Sequence, residues 1–417
     1  MVNKNEKQVL CGRLIGKRLH RSVNFLEIAT PENTTIQIVI EDKNIFERIK
    51  EIKKGSILEF EGLLKETSLS HKYDIEFQAS SMKIIANNYE QRCIHPILTL
   101  DALLKTRDSS KQIYALASDK MKCLLELRSS AINYIRSYLN GKGFIEIQSP
   151  KIVDSLVEGP TKAFRVEFYN RKIYLSISNV LYHHMLVTIG YNRIYEVSPL
   201  FRQQPYKSKY QLSEFWEIDF SEAWRGRDDM IKTVEDLLRF TLNLLHKKFN
   251  KRLIDLGINL PKLPEHIEKV EYKEILEWLD LRKDDYGTHL PHRLIKELQK
   301  RGLSTVWVIN APINKKPFFI KRKNNTSLSA ELWTDRVPIL ASGGERITDY
   351  KEALENISIL NIKSEGFKSY LDILKFGAPP SYTVGIGIER LLQYLTLQPL
   401  HYLVPFPRFP KAKIKLK

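Results

Sequence analysis

Phe201-Arg202-Gln203-Gln204 runs into a basic loop over residues 206–210, and Leu212-Ser213-Glu214-Phe215-Trp216-Glu217-Ile218-Asp219 returns from it. β-type patterning over 193–198 and 215–221 makes this a strand, a loop and a second strand. An arginine at the end of one strand can grip a phosphate with two parallel N–H groups. An aromatic ring on the returning strand can stack on a purine. Taken alone, a phenylalanine–arginine pair is more often a surface feature, so its meaning depends on the rest of the chain.

A second constellation, Gly385-Ile386-Gly387-Ile388-Glu389-Arg390, passes from a strand into a helix. Glycines let a nucleotide approach the backbone, and an arginine in the first helical turn offers its fork to a phosphate. It is not a dinucleotide fingerprint, because the third glycine is absent and Glu389 and Arg390 stand in that stretch.

Working outward, residues 9–14, 25–29, 35–40, 56–63 and 72–84 read as short strands, with a helix at 43–52. Five strands with one helix among them suit an OB-type barrel. A poorly periodic link follows over 95–118. A long amphipathic helix then spans 119–141, with Leu124, Leu127, Ala131, Ile135 and Tyr138 on one face. Strands are expected at 143–150, 164–168, 172–176, 305–309, 316–321 and 330–340, and helices at 228–250, 272–279, 293–301, 350–359 and 364–375. Residues 382–394 form a last strand and helix. Several successive strands without helices between them imply a largely antiparallel sheet, hence an α+β fold.

At 417 residues the chain is long enough for two domains. The 43% hydrophobic and 10% aromatic content exclude wholesale disorder. A formal charge of +17 suits a polyanionic partner such as RNA, although a lysine-rich proteome would give the same excess. Cys11, Cys93 and Cys123 show neither paired nor metal-ligand spacing and read as reduced thiols. No apolar run approaches a membrane span, and the first residues lack a signal-peptide core, so a cytoplasmic protein is expected.

The order of the pieces carries a resemblance. Residues 143–150, 201–219 and 385–390 resemble motifs 1, 2 and 3 of class II aminoacyl-tRNA synthetases. Ser342-Gly343-Gly344-Glu345-Arg346-Ile347 is similar to their SGxQRI stretch, and Pro405-Phe406-Pro407-Arg408 to their C-terminal FPR. Pro317-Phe318-Phe319-Ile320-Lys321, followed by Ala330-Glu331, most resembles asparaginyl-tRNA synthetases, whereas Gly377-Ala378-Pro379-Pro380 looks like some aspartyl enzymes.

This resemblance implies an anticodon-binding OB domain over 1–90, a linker over 91–118 and a catalytic domain over 119–417, its mainly antiparallel sheet flanked by helices. It implies ATP and Mg2+ as cofactors, tRNA and a small carboxylic acid or amino acid as partners, and a homodimer with Pro150 at its interface. Arg202 then holds the α-phosphate, Phe215 stacks adenine, Arg390 sits near the γ-phosphate, and Gly385 and Gly387 admit the nucleotide. Glu331 supplies a magnesium carboxylate. Glu158, Ser178 and Lys375 belong to the amino-acid pocket. Phe25 stacks an anticodon base and Gln37 reads it. Read without the family, Phe25 is equally a core residue and Gln37 a solvent-facing one.

The pattern also departs from the family. Gln204 replaces a glutamate, and Tyr210 and Gln211 replace an arginine–histidine pair. The family's QSPQ becomes Ile177-Ser178-Asn179-Val180, and the second magnesium carboxylate becomes Ile339. Lys375 is the only cation where the family has YLDLRRYG, and Pro380 to Gly385 replaces PHxGxGxG. An ATP-dependent activation of an acid as its adenylate, altered from asparagine and followed by transfer to tRNA, is the expected activity. The alternatives are a pseudo-synthetase that binds tRNA without turnover, and a tRNA-independent amide-forming ligase.

Overall fold

The computed structural model describes residues 6–20, 23–32, 34–66, 75–89, 118–154, 163–203, 210–281 and 290–406. The chain divides into two compact units, Met1–Asp119 and Lys120–Lys417. All but Ser118 of the expected linker lies outside the described residues.

The first unit is a closed barrel of β1 (Gln8–Arg18), β2 (Asn24–Ala29), β3 (Thr35–Ile40), β4 (Ile57–Glu66) and β5 (Ile75–Ala86), in the order β1-β2-β3-β5-β4. Alternate residues of these strands point inward, so Leu26, Ile28, Ile38, Ile40, Leu58 and Phe60 fill the interior. Helix α1 (Lys43–Glu51) adds Ile45 and Ile49 to that core. Its start is fixed by Asp42, whose carboxylate accepts from the amides of Asn44 and Ile45 at 2.7 and 3.0 Å.

The second unit opens with α2 (Asp119–Gly141), then short strands β6 (Ile145–Glu146), β7 (Ile152–Val153), β8 (Arg165–Phe168) and β9 (Arg171–Leu175), and helix α3 (Val180–Thr188). The hairpin of β10 (Arg193–Phe201) and β11 (Glu214–Ala223) leads to α4 (Arg227–Asp255). Then come β12 (Glu268–Glu271), α5 (Tyr272–Trp278), α6 (Leu290–Arg301), β13 (Thr305–Ile309) and a small hairpin, β14 (Arg322–Lys323) and β15 (Thr326–Ser327). The chain continues through β16 (Ser329–Thr334), β17 (Ala341–Glu345), α7 (Tyr350–Ile359), α8 (Lys368–Leu374), β18 (Ser381–Gly387) and α9 (Ile388–Thr396).

An eight-stranded sheet in the order β12-β13-β16-β17-β18-β11-β10-β6 organises this unit, and only its two outermost pairings are parallel. Cross-strand neighbours share a face. One row, Trp307, Leu332 and Ala341, and another, Gly343, Val384, Phe220 and Tyr195, belong to the apolar side. Apart from Gly343 these residues are buried. Helix α4 packs there through Met230, Val234, Leu237, Leu238 and Leu245, whose spacing of three and four residues makes one stripe. Each fully buried side chain of this kind contributes about 1.5–3 kcal/mol.

Three expectations need correction. The strand expected over 316–321 is a short 3-10 turn, Ile313–Lys315, followed by irregular chain. Pro317 cannot donate to a ladder, and Phe318 and Phe319 are both buried, which a one-sided strand does not allow. The strand expected over 330–340 breaks into β16 and β17 around Ile339, whose backbone is left-handed at φ 43°. The strand expected over 143–150 pairs only at β6. Helix α3 was not anticipated, because it is apolar on all sides and shows no amphipathic period.

Gly343 is where sheet and helix meet most closely. A Cβ there would stand 2.5 Å from the Thr383 carbonyl oxygen and 2.7 Å from the Met230 sulfur. Gly141, at the end of α2, has nothing within 4 Å of its would-be Cβ. Gly343→Ala is expected to lower stability by about 2–3 kcal/mol, while Gly141→Ala leaves it unchanged or slightly higher. Urea denaturation of both variants checks this, and equal midpoints would show that the contact is not tight.

Candidate active site

The opposite face of the sheet is polar. Register places Glu331, Ser342, Gly385, Asp219 and Glu196 in one row across five strands. A neighbouring row holds Gly387, Glu217 and Ser198, and another holds Gly344, Thr383 and Ser221. Carboxylates, hydroxyls and glycines cannot form a dry core, so this face is available for chemistry.

Arg202 follows the last residue of β10, where its amide donates to the Ser213 carbonyl at 2.9 Å and closes the hairpin. Its guanidinium lies 5.2 Å from the Phe215 ring centroid and donates to the Ile177 carbonyl at 3.4 and 3.3 Å. Arg390, in the first turn of α9, donates to the Ile339 carbonyl at 2.8 Å and the Tyr210 carbonyl at 3.4 Å. Burial pushes its guanidinium pKa down, Glu217 pulls it back, Arg202 adds to the downward push, and Glu331 opposes it. The two arginines therefore feel each other. Arg202, Phe215, Glu217, Gly385, Gly387 and Arg390 line one cavity. A Cβ at Gly385 would stand 2.7 Å from the Glu217 carboxylate and 2.8 Å from that of Asp219, so a larger residue would have to displace both.

The neighbouring Glu389 is structural. It is buried, accepts from the Trp216 amide at 2.9 Å and pairs with Arg128 at 2.7 Å. That bond docks α9 onto both β11 and α2.

The proposed magnesium ligands do not converge. The Glu331 carboxylate is bound to the Lys316 ammonium through one oxygen and accepts from the Trp333 indole at 3.1 Å through the other. Ile339 packs its side chain against the apolar cluster of Val308, Leu294 and Trp333 and gives its carbonyl to Arg390. Among the described residues, no group of three or more His, Cys, Asp or Glu could hold a metal ion. Glu331, held by Lys316, and the apolar Ile339 do not make a pair of magnesium carboxylates.

Ser178 lies buried beside a second cavity lined by Asp154, Ser176, Ile177, Tyr182, Phe367 and Tyr370, among others. Lys375 does not join it. Its exposed ammonium pairs with Asp372 at 2.7 Å, one turn back on α8. Glu158 lies outside the described residues.

Several polar groups under α3 were not singled out from the sequence. The Lys151 ammonium donates to Glu196 at 2.6 Å, to Asn179 at 2.6 Å and to Ser149 at 3.0 Å. With its carbonyl so held, the Asn179 amide donates to Asp219 at 2.9 Å and Ser198 at 3.0 Å. Burial raises the Glu196 carboxyl, but the neighbouring His183 and hydrogen bonds from Lys151 and Ser149 outweigh it and hold the group at about 2. Burial drives Asp219 well up, Glu217 adds to the rise, and Asn179 opposes it. Burial lowers His184 to about 3, which keeps the imidazole neutral beside the Tyr370 hydroxyl at 2.9 Å.

Arg346 is 2% exposed. It donates to the Thr383 carbonyl at 3.1 Å and stacks 5.0 Å from the Phe319 ring centroid. Its Nε and Nη1 have no hydrogen-bond partner among the described residues. Burial pushes its pKa down to about 10, with Tyr370 and Asp219 opposing, so it stays charged near neutrality. The available signal was an arginine just beyond the small residues Ala341 to Gly344 of β17.

In the barrel, Phe25 is half-buried and outside the core cluster. The Arg18 guanidinium lies 5.5 Å from its ring, and His20 meets it edge-on at 6.2 Å. Gln37 is not solvent-facing. It is 3% exposed, its carbonyl bonded by Arg18 and its amide by Glu76.

The family described as tRNA synthetases class II (D, K and N) matches residues 105–410, and that described as OB-fold nucleic acid binding domain matches residues 8–85. Aspartate–tRNA(Asp) ligase of Picrophilus torridus is 28% identical over 379 residues, covering 89% of each chain. Aspartate–tRNA(Asp/Asn) ligase of Methanopyrus kandleri is 26% identical, covering 88% of this chain and 85% of its own. In fold, the chain is similar to asparaginyl-tRNA synthetase from Pyrococcus horikoshii complexed with asparaginyl-adenylate, with a TM-score of 0.83 at 20% identity, covering 97% and 95%. No helix among the described residues is long and apolar enough to cross a membrane. With its barrel, its eight-stranded sheet and these matches, the chain belongs to the class II tRNA synthetases of the D, K and N group.

Proposed function

We propose that the protein uses ATP to activate an amino acid with a carboxylate side chain, aspartate first among candidates, and passes it to tRNA. The convergence of Arg202 and Arg390 with Phe215 on one cavity carries this reading. In the first step the substrate carboxylate attacks the α-phosphorus, a P–O bond forms, and pyrophosphate leaves. Arg202 stabilises charge on the α-phosphate while Arg390 orients the leaving group. In the second step a ribose hydroxyl of the tRNA attacks the adenylate carbonyl, its proton leaves, and AMP departs.

Arg346 supports the acidic side chain. A buried guanidinium with two unpartnered nitrogens is costly unless an anion meets it. Ile177 and Val180, standing where the family has glutamines, favour a second reading as a tRNA-binding protein without turnover. The magnesium requirement is weakened, because Ile339 brings no carboxylate. Such a role belongs in the cytoplasm.

A homodimer is supported by the apolar groups around the edge strand β6. Ile145, Tyr191 and Trp224 are 57%, 46% and 69% exposed and line one cavity.

Pyrophosphate exchange into ATP, run across all amino acids, is expected with aspartate, and Arg390→Ala is expected to lower it by about a hundredfold or more. Exchange with no acid would select the second reading. Unchanged exchange in Arg390→Ala would remove the assigned nucleotide site. Phe25→Ala is expected to weaken tRNA binding by roughly tenfold, from the stacking it loses; equal filter retention of variant and wild type would contradict it. In sedimentation equilibrium, Trp224→Glu is expected to shift dimer toward monomer, and an unaltered mass would place the interface elsewhere.

A further inference from the structure

The failure of Glu331 and Ile339 to form a divalent-cation site has a counterpart in what stands there instead. Lys316 and Glu331 form an ion pair in which each side chain is only 13% exposed. Lys316 is held in place from both sides. The 3-10 turn before it receives its amide at the Ile313 carbonyl, 3.1 Å away, and Phe318 and Phe319 after it are anchored in a core cluster. Glu331 is the cross-strand neighbour of Ser342, which lines the cavity of Arg202 and Arg390. The Arg390 guanidinium senses the Glu331 charge. A third cation is thus built into the neighbourhood of the arginine pair.

We propose that Lys316, positioned by Glu331, supplies with Arg390 the positive charge that the triphosphate of ATP requires, so that nucleotide binding depends little on magnesium. This rests on the adenylate-forming reading of the same cavity. Three physical arguments support it. An ammonium has three N–H donors, and Glu331 occupies one side of it, leaving others for phosphate oxygens. For Glu331 to ligate a divalent ion it must release Lys316, leaving an unpaired ammonium in a half-dry site and a second positive centre beside it. The position that held the other carboxylate in the family is apolar, and its left-handed backbone at φ 43° turns the Ile339 carbonyl onto Arg390 instead. Glu331 is therefore a positioning residue for Lys316, not a metal ligand.

The test is calorimetric titration of the full chain with the non-hydrolysable analogue AMPPNP, once with excess Mg2+ and once with excess EDTA. Wild-type affinities in the two conditions are expected to agree within about threefold, and Lys316→Met to weaken binding in EDTA by about tenfold or more, as for loss of one phosphate-directed cation. Lys316→Arg, which keeps the charge, is expected to recover most of that loss. Thermal melting of both variants shows whether they fold, and a Lys316→Met chain that does not fold leaves the wild-type comparison and Lys316→Arg to decide. Wild-type binding that needs magnesium by more than about tenfold overturns this inference and leaves the adenylate-forming reading standing. Binding in neither condition overturns both.

Discussion

Cross-strand neighbours on one side of a pleated sheet must share one environment, and this constraint sorts the whole catalytic unit. Once Trp307, Leu332, Val384, Phe220 and Tyr195 are committed to the apolar side, the residues between them are committed to the other side. Those residues are Glu331, Ser342, Gly385, Asp219 and Glu196, contributed by strands far apart in the chain. No loop has to be folded into place to bring them together. The same alternation explains Gly385 and Gly343. The first sits against two carboxylates on the polar side, and the second against Met230 on the apolar side.

The parts legible in sequence were those with a strong local period or a local conformational signature. The β-branched and aromatic runs over 35–40 and 305–309 and the stripe of α2 gave the right elements in the right places. Arg202, Phe215, Gly385, Gly387 and Arg390 stood out because they mark strand ends and a strand–helix junction. Helix α3 was illegible because burial on all sides erases amphipathic contrast, and His183 and His184 inside it look like any polar interruption. Gln37 looked solvent-facing because alternation is a rule about two faces, and its bonds to Arg18 and Glu76 let this polar side chain stay buried. Lys375 stood out as the only cation in its stretch, but a linear sequence does not show that its ammonium, just beyond the end of α8, pairs with Asp372.

Charge is partitioned under α3 in a way no linear reading reaches. Lys151 compensates Glu196, and the fixed Asn179 amide is aimed at Asp219. Burial and the nearby Glu217 both drive Asp219 toward its neutral form, so it offsets Arg346 poorly. The buried guanidinium is left as the uncompensated charge. A polar network in low dielectric is stiff when fully bonded and costly where it is not. The cost is concentrated at Arg346, whose Nε and Nη1 have no hydrogen-bond partner among the described residues.

Two cavities meet at one atom. The Ile177 carbonyl accepts from Arg202, which lines the cavity of Arg390, while Ile177 itself lines the cavity beside Ser178. Those bonds are long, at 3.4 and 3.3 Å, and a neutral carbonyl is a weaker acceptor than an anionic oxygen. Were the Arg202 fork to turn to an anion, the Ile177 carbonyl would need another donor, since a buried unsatisfied acceptor costs about 1–3 kcal/mol. The demand of a single backbone oxygen therefore ties the polar contents of one cavity to those of the other.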